Sequence, residues 1–166
     1  HRTFGLAGFV LVFLIDFFKA FIAAQIGGAL MGIFGYAMVG KLFAGFCAML
    51  GHSYPVFFGF RGGKGVLAGI GMLFAADWRI ACICMIVFIA VVAFTRYVSL
   101  GSILAACCAP LAVWAFNYGG LEGTVTLLCV LLLIFGHRSN IGRLITGTES
   151  KLRIGKTPEE KLKENF

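Results

Sequence analysis

The sequence predicts an all-α, polytopic transmembrane helix bundle with about six spans. Three observations carry this. First, 60% of the 166 residues are hydrophobic and 13% are charged, with a mean hydropathy of +0.97. A soluble domain of this length has too little interior to hide that much apolar side chain. Second, the apolar residues form continuous runs without the alternation of strands, which argues against a closed barrel. Third, seven of the fourteen Lys and Arg residues (Arg138, Arg143, Lys151, Arg153, Lys156, Lys161 and Lys163) follow the last apolar run. That is a positive-inside tail, so residues 136–166 are expected in the cytoplasm and the net charge of +7 does not indicate nucleic acid.

A spanning helix needs ~20 apolar residues, fewer when tilted or packed in protein. Phe4 to Ala24 is the first expected span and carries Asp16 and Lys19. Gln25 to Gly35 is glycine-rich and reads as a turn and helix entry. Tyr36 to Leu50 is the second span. The polar stretch Gly51–Gly65 follows, then a short apolar run, Val66 to Ala76, of half-length or tilted character. Asp77-Trp78-Arg79 is interfacial punctuation, with Trp at headgroup level. Ile80 to Thr95, Leu100 to Phe116 (with a kink at Pro110) and Thr124 to Gly136 complete the spans, and Asn117–Gly123 reads as a loop. Thr157-Pro158-Glu159-Glu160 reads as the start of a short surface helix. There is no internal repeat, and the whole chain, 1–166, is expected to be a single membrane domain. Cys47, Cys82, Cys84, Cys107, Cys108 and Cys129 all lie in apolar runs without metal-ligand spacing and read as small hydrophobes.

Counting crossings backward from a cytoplasmic tail brings four polar segments to one side: His1–Thr3, Gly51–Gly65, Arg96–Ser102 and His137–Arg143. The count depends on Val66–Ala76 crossing. On that side Gly62-Gly63-Lys64-Gly65 opens an apolar helix. Glycines let backbone N–H groups turn toward one anion, a helix N-terminus favours negative charge, and Lys64 adds a point charge. The stretch is not a Walker A loop, because Phe58 stands where its first Gly belongs and Gly65 where its Ser or Thr belongs. The plainer account is a flexible basic loop near anionic headgroups.

His52 and His137 each follow a span, as candidate general bases or phosphate donors, or simply as helix C-terminal caps. In His137-Arg138-Ser139-Asn140-Ile141-Gly142-Arg143, Asn and His can orient a substrate hydroxyl and Arg143 can fork onto phosphate oxygens. A stop-transfer flank explains the Arg residues but not Asn140. Ser99 and Ser102 beside Arg96 are N-cap residues or phosphate donors. Asp16 and Lys19 share a helical face, as a mutual ion pair or as part of a substrate path. A small-anion transporter or channel is the alternative reading from another functional class.

The motif Gly-His-x-x-Pro-Val-Phe-x-x-Phe-x-Gly-Gly-Lys-Gly-Val over Gly51–Val66 resembles the central motif of the bacterial acyl-phosphate:glycerol-3-phosphate acyltransferases. His137-Arg138-x-Asn140-Ile141-x-Arg143-Leu144 with Gly147-Thr148-Glu149 is similar to the C-terminal motif of that family. Asp16-x-x-Lys19 and Arg96-Tyr97-Val98-Ser99-Leu100-Gly101-Ser102 resemble it as well, so the likeness runs through nearly the whole chain in order. The resemblance implies a multi-pass enzyme of the bacterial inner membrane with its active site toward the cytoplasm. It would move a fatty acyl group from acyl phosphate to the 1-hydroxyl of glycerol 3-phosphate, giving lysophosphatidic acid and phosphate. No metal or cofactor is implied. The partners implied are the two substrates, the bilayer and, as a candidate, the enzyme that makes acyl phosphate.

The residues implied are Lys64, His137 and Asn140 in catalysis, with Gly62, Gly63, Lys64, Gly65, Arg2, Arg96, Ser99, Ser102, His52 and Arg143 at the phosphates. The family has seven spans and begins with a further span and a Ser-Gly-Asn-type motif ending in Arg, so the resemblance implies about six spans present of an expected seven. His1-Arg2-Thr3-Phe4-Gly5 resembles the end of that motif, so an upstream piece is expected.

Overall fold

The structure, a computed structural model, describes residues 5–152; Arg2 and the expected helix start at Thr157–Glu160 lie outside them. Within these residues the chain is all-helical, with seven helices. They are α1 (Gly5–Gly32), α2 (Ala37–Ser53), α3 (Val66–Ala76), α4 (Trp78–Thr95), α5 (Val98–Ala115), α6 (Gly120–Gly136) and α7 (Arg138–Ile145). Val10–Gly32, α4 and α5 are long and apolar enough to cross a membrane, and α6 with α7, bent by 62°, forms a fourth candidate span. Large apolar side chains such as Val12, Ile22, Ile26, Phe94 and Trp114 cover the outside of the bundle, as lipid requires. The protein is a multi-pass membrane protein.

The expected turn at Gln25–Gly35 is corrected: α1 continues through Gly32 and the chain turns only at 33–36. The glycines there serve helix packing. A Cβ on Gly27 would strike Gly40 O and Ala44 Cβ, and one on Gly40 would strike Gly27 O, so α1 and α2 touch backbone to backbone. Small residues are the usual means of such close approach in lipid, where burial of oil against oil drives nothing. The expected loop at Asn117–Gly123 is likewise shorter, because α6 starts at Gly120. α3 has the bounds expected of the short run, and Pro110 sits inside α5 without ending it. The core is built largely of Ala20, Ala68, Ala81, Ala105, Ala109 and Ala112, filled by Leu42, Met49, Met72 and Ile80.

At 1.5 Å per residue α3 is only about 16 Å long, yet it joins opposite ends of the bundle. Its first residues follow Gly65, which packs against Met49 and Ser53 at the end of α2. Its last precede Asp77, whose Oδ2 accepts from Tyr118 Oη (2.9 Å) on the α5–α6 connection. Gly51–Gly65, Arg96–Ser102 and His137–Arg143 therefore gather at one end, and Asp77–Arg79 with 116–119 at the other.

Asp77 ties that second end together. Its carboxylate caps α4 by accepting from Arg79 N (2.9 Å) and pairs with Arg79 Nη2 (2.7 Å), while the guanidinium lies 4.3 Å over the Phe116 ring. The hydrogen bond from the Arg79 side chain is the main reason the Asp77 carboxyl is held down at about 2. Asp77→Ala removes a cap and a charged pair together, and we expect it to destabilise the bundle by about 2 kcal/mol, read as a lower Tm in detergent. The contribution from Asp77 ionisation is present above its ordinary value of 3.8 and lost as pH falls toward about 2. An unchanged Tm would remove Asp77 from the account of this end.

Candidate active site

After α2 the chain passes Pro55 and a single 3₁₀ turn, Val56–Phe58, then folds back onto the end of α2. Gly62 N donates to Ser53 O (3.1 Å) and Gly63 N to His52 O (3.2 Å). The expectation that these two amides are free donors for phosphate is corrected: each is spent on an α2 carbonyl. The glycines are needed instead for contact. A Cβ on Gly62 would strike His52 O, and one on Gly63 would strike His52 Nε2. Gly65 then takes φ +80°, in the left-handed region open to glycine, and launches α3. The first bond of that turn runs from Gly69 N to Gly65 O (2.8 Å), and the earlier amides of α3 have no intrahelical acceptor. Lys64 is exposed, and its ammonium has no ion-pair or hydrogen-bond partner among the described residues.

The loop lies against the end of α6. A Cβ on Gly136 would sit 3.5 Å from both Cα and O of Lys64. The next residue, His137, is 2% exposed and occupies the bend between α6 and α7. Its Nδ1 lies 2.9 Å from Leu133 O. A carbonyl only accepts, so Nδ1 carries the proton and a neutral ring keeps its lone pair on Nε2. Burial, and after it the Lys64 charge, pushes the His137 basicity below the ordinary 6.5; the Leu133 carbonyl and Glu149 oppose this without cancelling it. His137 is therefore neutral near pH 7, with a basic atom available.

One turn on, Asn140 is 4% exposed. Its Nδ2 donates to Glu149 Oε1 (2.7 Å), which also accepts from Ser99 Oγ (2.7 Å), while Glu149 Oε2 takes Arg143 Nε (2.7 Å). Because a carboxylate only accepts, this geometry fixes the amide orientation and leaves Asn140 Oδ1 buried without a hydrogen-bond partner. The Ser99 and Asn140 hydrogen bonds, ahead of Arg143, hold the Glu149 carboxyl down at about 2. Arg96 ends α4 in the left-handed region (φ 62°), and its carbonyl accepts from Leu152 N (2.7 Å), which brings the chain beyond α7 back over this end. The Arg96 side chain is exposed and unpartnered among the described residues.

Of the residues expected at the site, Lys64, His137, Asn140, Ser99 and Arg143 come together. Two roles are corrected. Ser99 spends its proton on Glu149, and Ser102 donates to Val98 O (3.0 Å) and faces an apolar interior lined by Met49, Val66 and Leu133. Neither hydroxyl is a free phosphate donor in this arrangement. His52 is also engaged, with Nδ1 at 2.7 Å from Lys19 Nζ, which in turn lies 2.6 Å from Asp16 Oδ1. The expected Asp16–Lys19 ion pair is present and has acquired a third member from another helix. Glu149 was absent from the expected site residues; a lone carboxylate in an otherwise basic segment was the signal for it. Between α1, α3 and α4 there is also an apolar cleft of 360 Å³, walled by Phe13, Phe17, Val66, Ile70, Phe74 and Phe88.

Residues 1–147 match the family model for glycerol-3-phosphate acyltransferase. A relative of that name from Aquifex aeolicus (strain VF5) is 39% identical over 150 residues, covering 90% of this chain and 77% of the relative. Another from Clostridioides difficile (strain 630) is 38% identical over 156 residues, covering 91% and 74%. Among solved structures, PlsY (YgiH), an integral membrane glycerol 3-phosphate acyltransferase, matches in its glycerol 3-phosphate form with a TM-score of 0.80 at 37% identity, over 92% of this chain and 74% of that one. Its lysophosphatidic acid form matches with a TM-score of 0.81 at 37% identity, over 92% and 76%. With most of its length accounted for in sequence and in three dimensions, this chain belongs to the glycerol-3-phosphate acyltransferase family.

Proposed function

We infer that this protein transfers a fatty acyl group from acyl phosphate to the 1-hydroxyl of glycerol 3-phosphate, releasing lysophosphatidic acid and inorganic phosphate. The observation that carries the reading is the close approach of the Lys64 backbone to Gly136, which brings an unpartnered ammonium within electrostatic reach of a buried, neutral His137. Acyl phosphate is a mixed anhydride, so the carbonyl is already activated and the leaving group is good. The glycerol oxygen bonds to the carbonyl carbon, the anhydride C–O bond breaks, and phosphate departs with the electron pair. Catalysis then consists mainly of holding two phosphorylated molecules in line and offsetting their charge.

In this assignment Lys64 and the open N-terminus of α3 bind phosphate oxygens. Asn140 Oδ1 accepts from the substrate hydroxyl, and His137 Nε2 takes its proton; a phosphate oxygen of the substrate is the competing acceptor. Arg96 and the unused N–H groups of Arg143 offer further phosphate contacts, while Glu149 holds Ser99, Asn140 and Arg143 in register. The α1–α3–α4 cleft has the apolar walls an acyl chain prefers. The site end carries Arg61, Lys64, Arg96, Arg138, Arg143 and Lys151, which supports a cytoplasmic orientation in a bacterial inner membrane.

The deciding experiment supplies the purified protein in detergent with palmitoyl phosphate and labelled glycerol 3-phosphate. Labelled lysophosphatidic acid is expected; its absence together with phosphate flux in liposomes would establish the transporter reading instead. If His137 is the base, kcat/KM has an acid limb below pH 6.5, its ordinary value, because the lowered basicity keeps the ring unprotonated further into acid. His137→Gln then abolishes the limb along with most of the rate. An unshifted limb in the residual activity assigns the proton to the substrate phosphate.

A further inference from the structure

The mechanism above makes no use of Asp16, Lys19 and His52, which join α1 to the end of α2. Lys19 Nζ lies 2.6 Å from Asp16 Oδ1 and 2.7 Å from His52 Nδ1, across 33 residues of sequence. An ammonium paired with a carboxylate can only donate, so His52 Nδ1 accepts with its lone pair. The Asp16 Oδ1 contact to the same nitrogen is longer, 3.3 Å, and comes second to it. His52 is therefore a neutral ring with its proton on Nε2. That atom is the one a Cβ on Gly63 would strike, and Gly63 N is already tied to His52 O at 3.2 Å. The ring and the backbone of one histidine thus hold the residue immediately before Lys64.

A mutual ion pair would be enough to settle two charges at membrane depth. It gives no reason for Lys19 to spend a further hydrogen bond on His52, nor for His52 to face the loop. We propose that Asp16 and Lys19 are positioning residues for the acyl transfer. They lock the tautomer and ring orientation of His52, and the ring sets the Gly63–Lys64 backbone that seats Lys64 against Gly136, the residue before His137. This rests on the reading in which Lys64 binds a substrate phosphate. Asp16 and Lys19 touch neither substrate in this account and act only through His52.

A double-mutant cycle tests it, with the full chain purified in detergent, palmitoyl phosphate and glycerol 3-phosphate as substrates, and Tm measured in parallel. Lys19→Met is expected to lower kcat/KM on the order of 100-fold, the scale of an ~1 Å misplacement of a binding group. Asp16→Asn/Lys19→Met, which leaves no unpaired charge in the membrane, is expected to do the same with Tm close to wild type. In a His52→Ala background the Lys19→Met change should have almost no further effect, since its route to the loop is gone. Full multiplicative loss in that background, or wild-type kcat/KM in the folded double variant, overturns the proposal while wild-type transfer leaves the functional reading standing. No transfer by the wild-type chain overturns both.

Discussion

Lys64→Ala is expected to lower kcat/KM for acyl transfer by about 10² to 10³, the loss seen when a charged or polar donor is removed from a developing anion in a water-poor site. The protein should still fold. Lys64 is exposed and makes no ion pair or hydrogen bond among the described residues, so truncating it strands no partner. Its backbone keeps the same contact with Gly136. The side chain is thus placed by its neighbours without contributing to their stability, which suits a group whose partner arrives with the substrate. The variant has a second consequence. The Lys64 charge is one of the influences that depress His137 basicity. Losing it moves any acid limb owed to His137 upward in pH, toward the ordinary value. Wild-type transfer at equal expression would sink the phosphate assignment, and a large loss without movement of the limb would separate Lys64 from His137.

Glu149→Gln should be more damaging than its position suggests. Glu149 accepts from Ser99 at the start of α5, and from Asn140 and Arg143 on α7. Nothing else among the described contacts joins these three side chains. An amide has one acceptor oxygen and an NH₂, which cannot receive donors on both sides. With the oxygen toward Arg143, Asn140 loses the bond that orients its amide; with the oxygen toward Asn140 and Ser99, the NH₂ meets the Arg143 guanidinium donor to donor and α7 loses that tie. We expect kcat/KM to fall about 10²-fold from misplacement, with a lower Tm, whereas Arg143→Lys alone is far milder because Asn140 keeps its partner. The acid behaviour follows the same contacts. Glu149 ionisation supports the folded state above its ordinary value of 4.5, and that support is lost as pH falls toward about 2. In Glu149→Gln this component of acid unfolding should vanish. A variant with full activity and unchanged Tm would show that α7 is held by other contacts.

The helices were largely legible because an apolar run in a membrane has few ways to satisfy its backbone other than helix. The bounds of α3 and the end of α4 came directly from where polar residues resume. The misreadings fell on glycine, whose meaning is not local. Gly27 looked like a turn residue, yet it is where α1 presses backbone to backbone on Gly40 of α2, and only the partner helix reveals that. In the same way Gly62 and Gly63 looked like free amides. Their donors are already bonded to Ser53 and His52, a fold-back that no spacing rule announces.

What the sequence by itself determined was the class of protein and which polar segments share one end of the bundle. Both follow from quantities that sum along the chain: hydropathy, the side on which basic residues collect, and the types of residue in the polar segments. What only the tertiary structure decided was which polar groups remain available. Ser99, Ser102 and His52 carry the right atoms, but each is committed to a partner, Ser99 and His52 across elements distant in sequence. The Lys64 ammonium, Asn140 Oδ1 and His137 Nε2 have no hydrogen-bond partner among the described residues, which is what the proposed assignment draws on. A hydrogen bond saturates and is directional, so its allocation depends on where every competitor lies in space, which one-dimensional order does not contain.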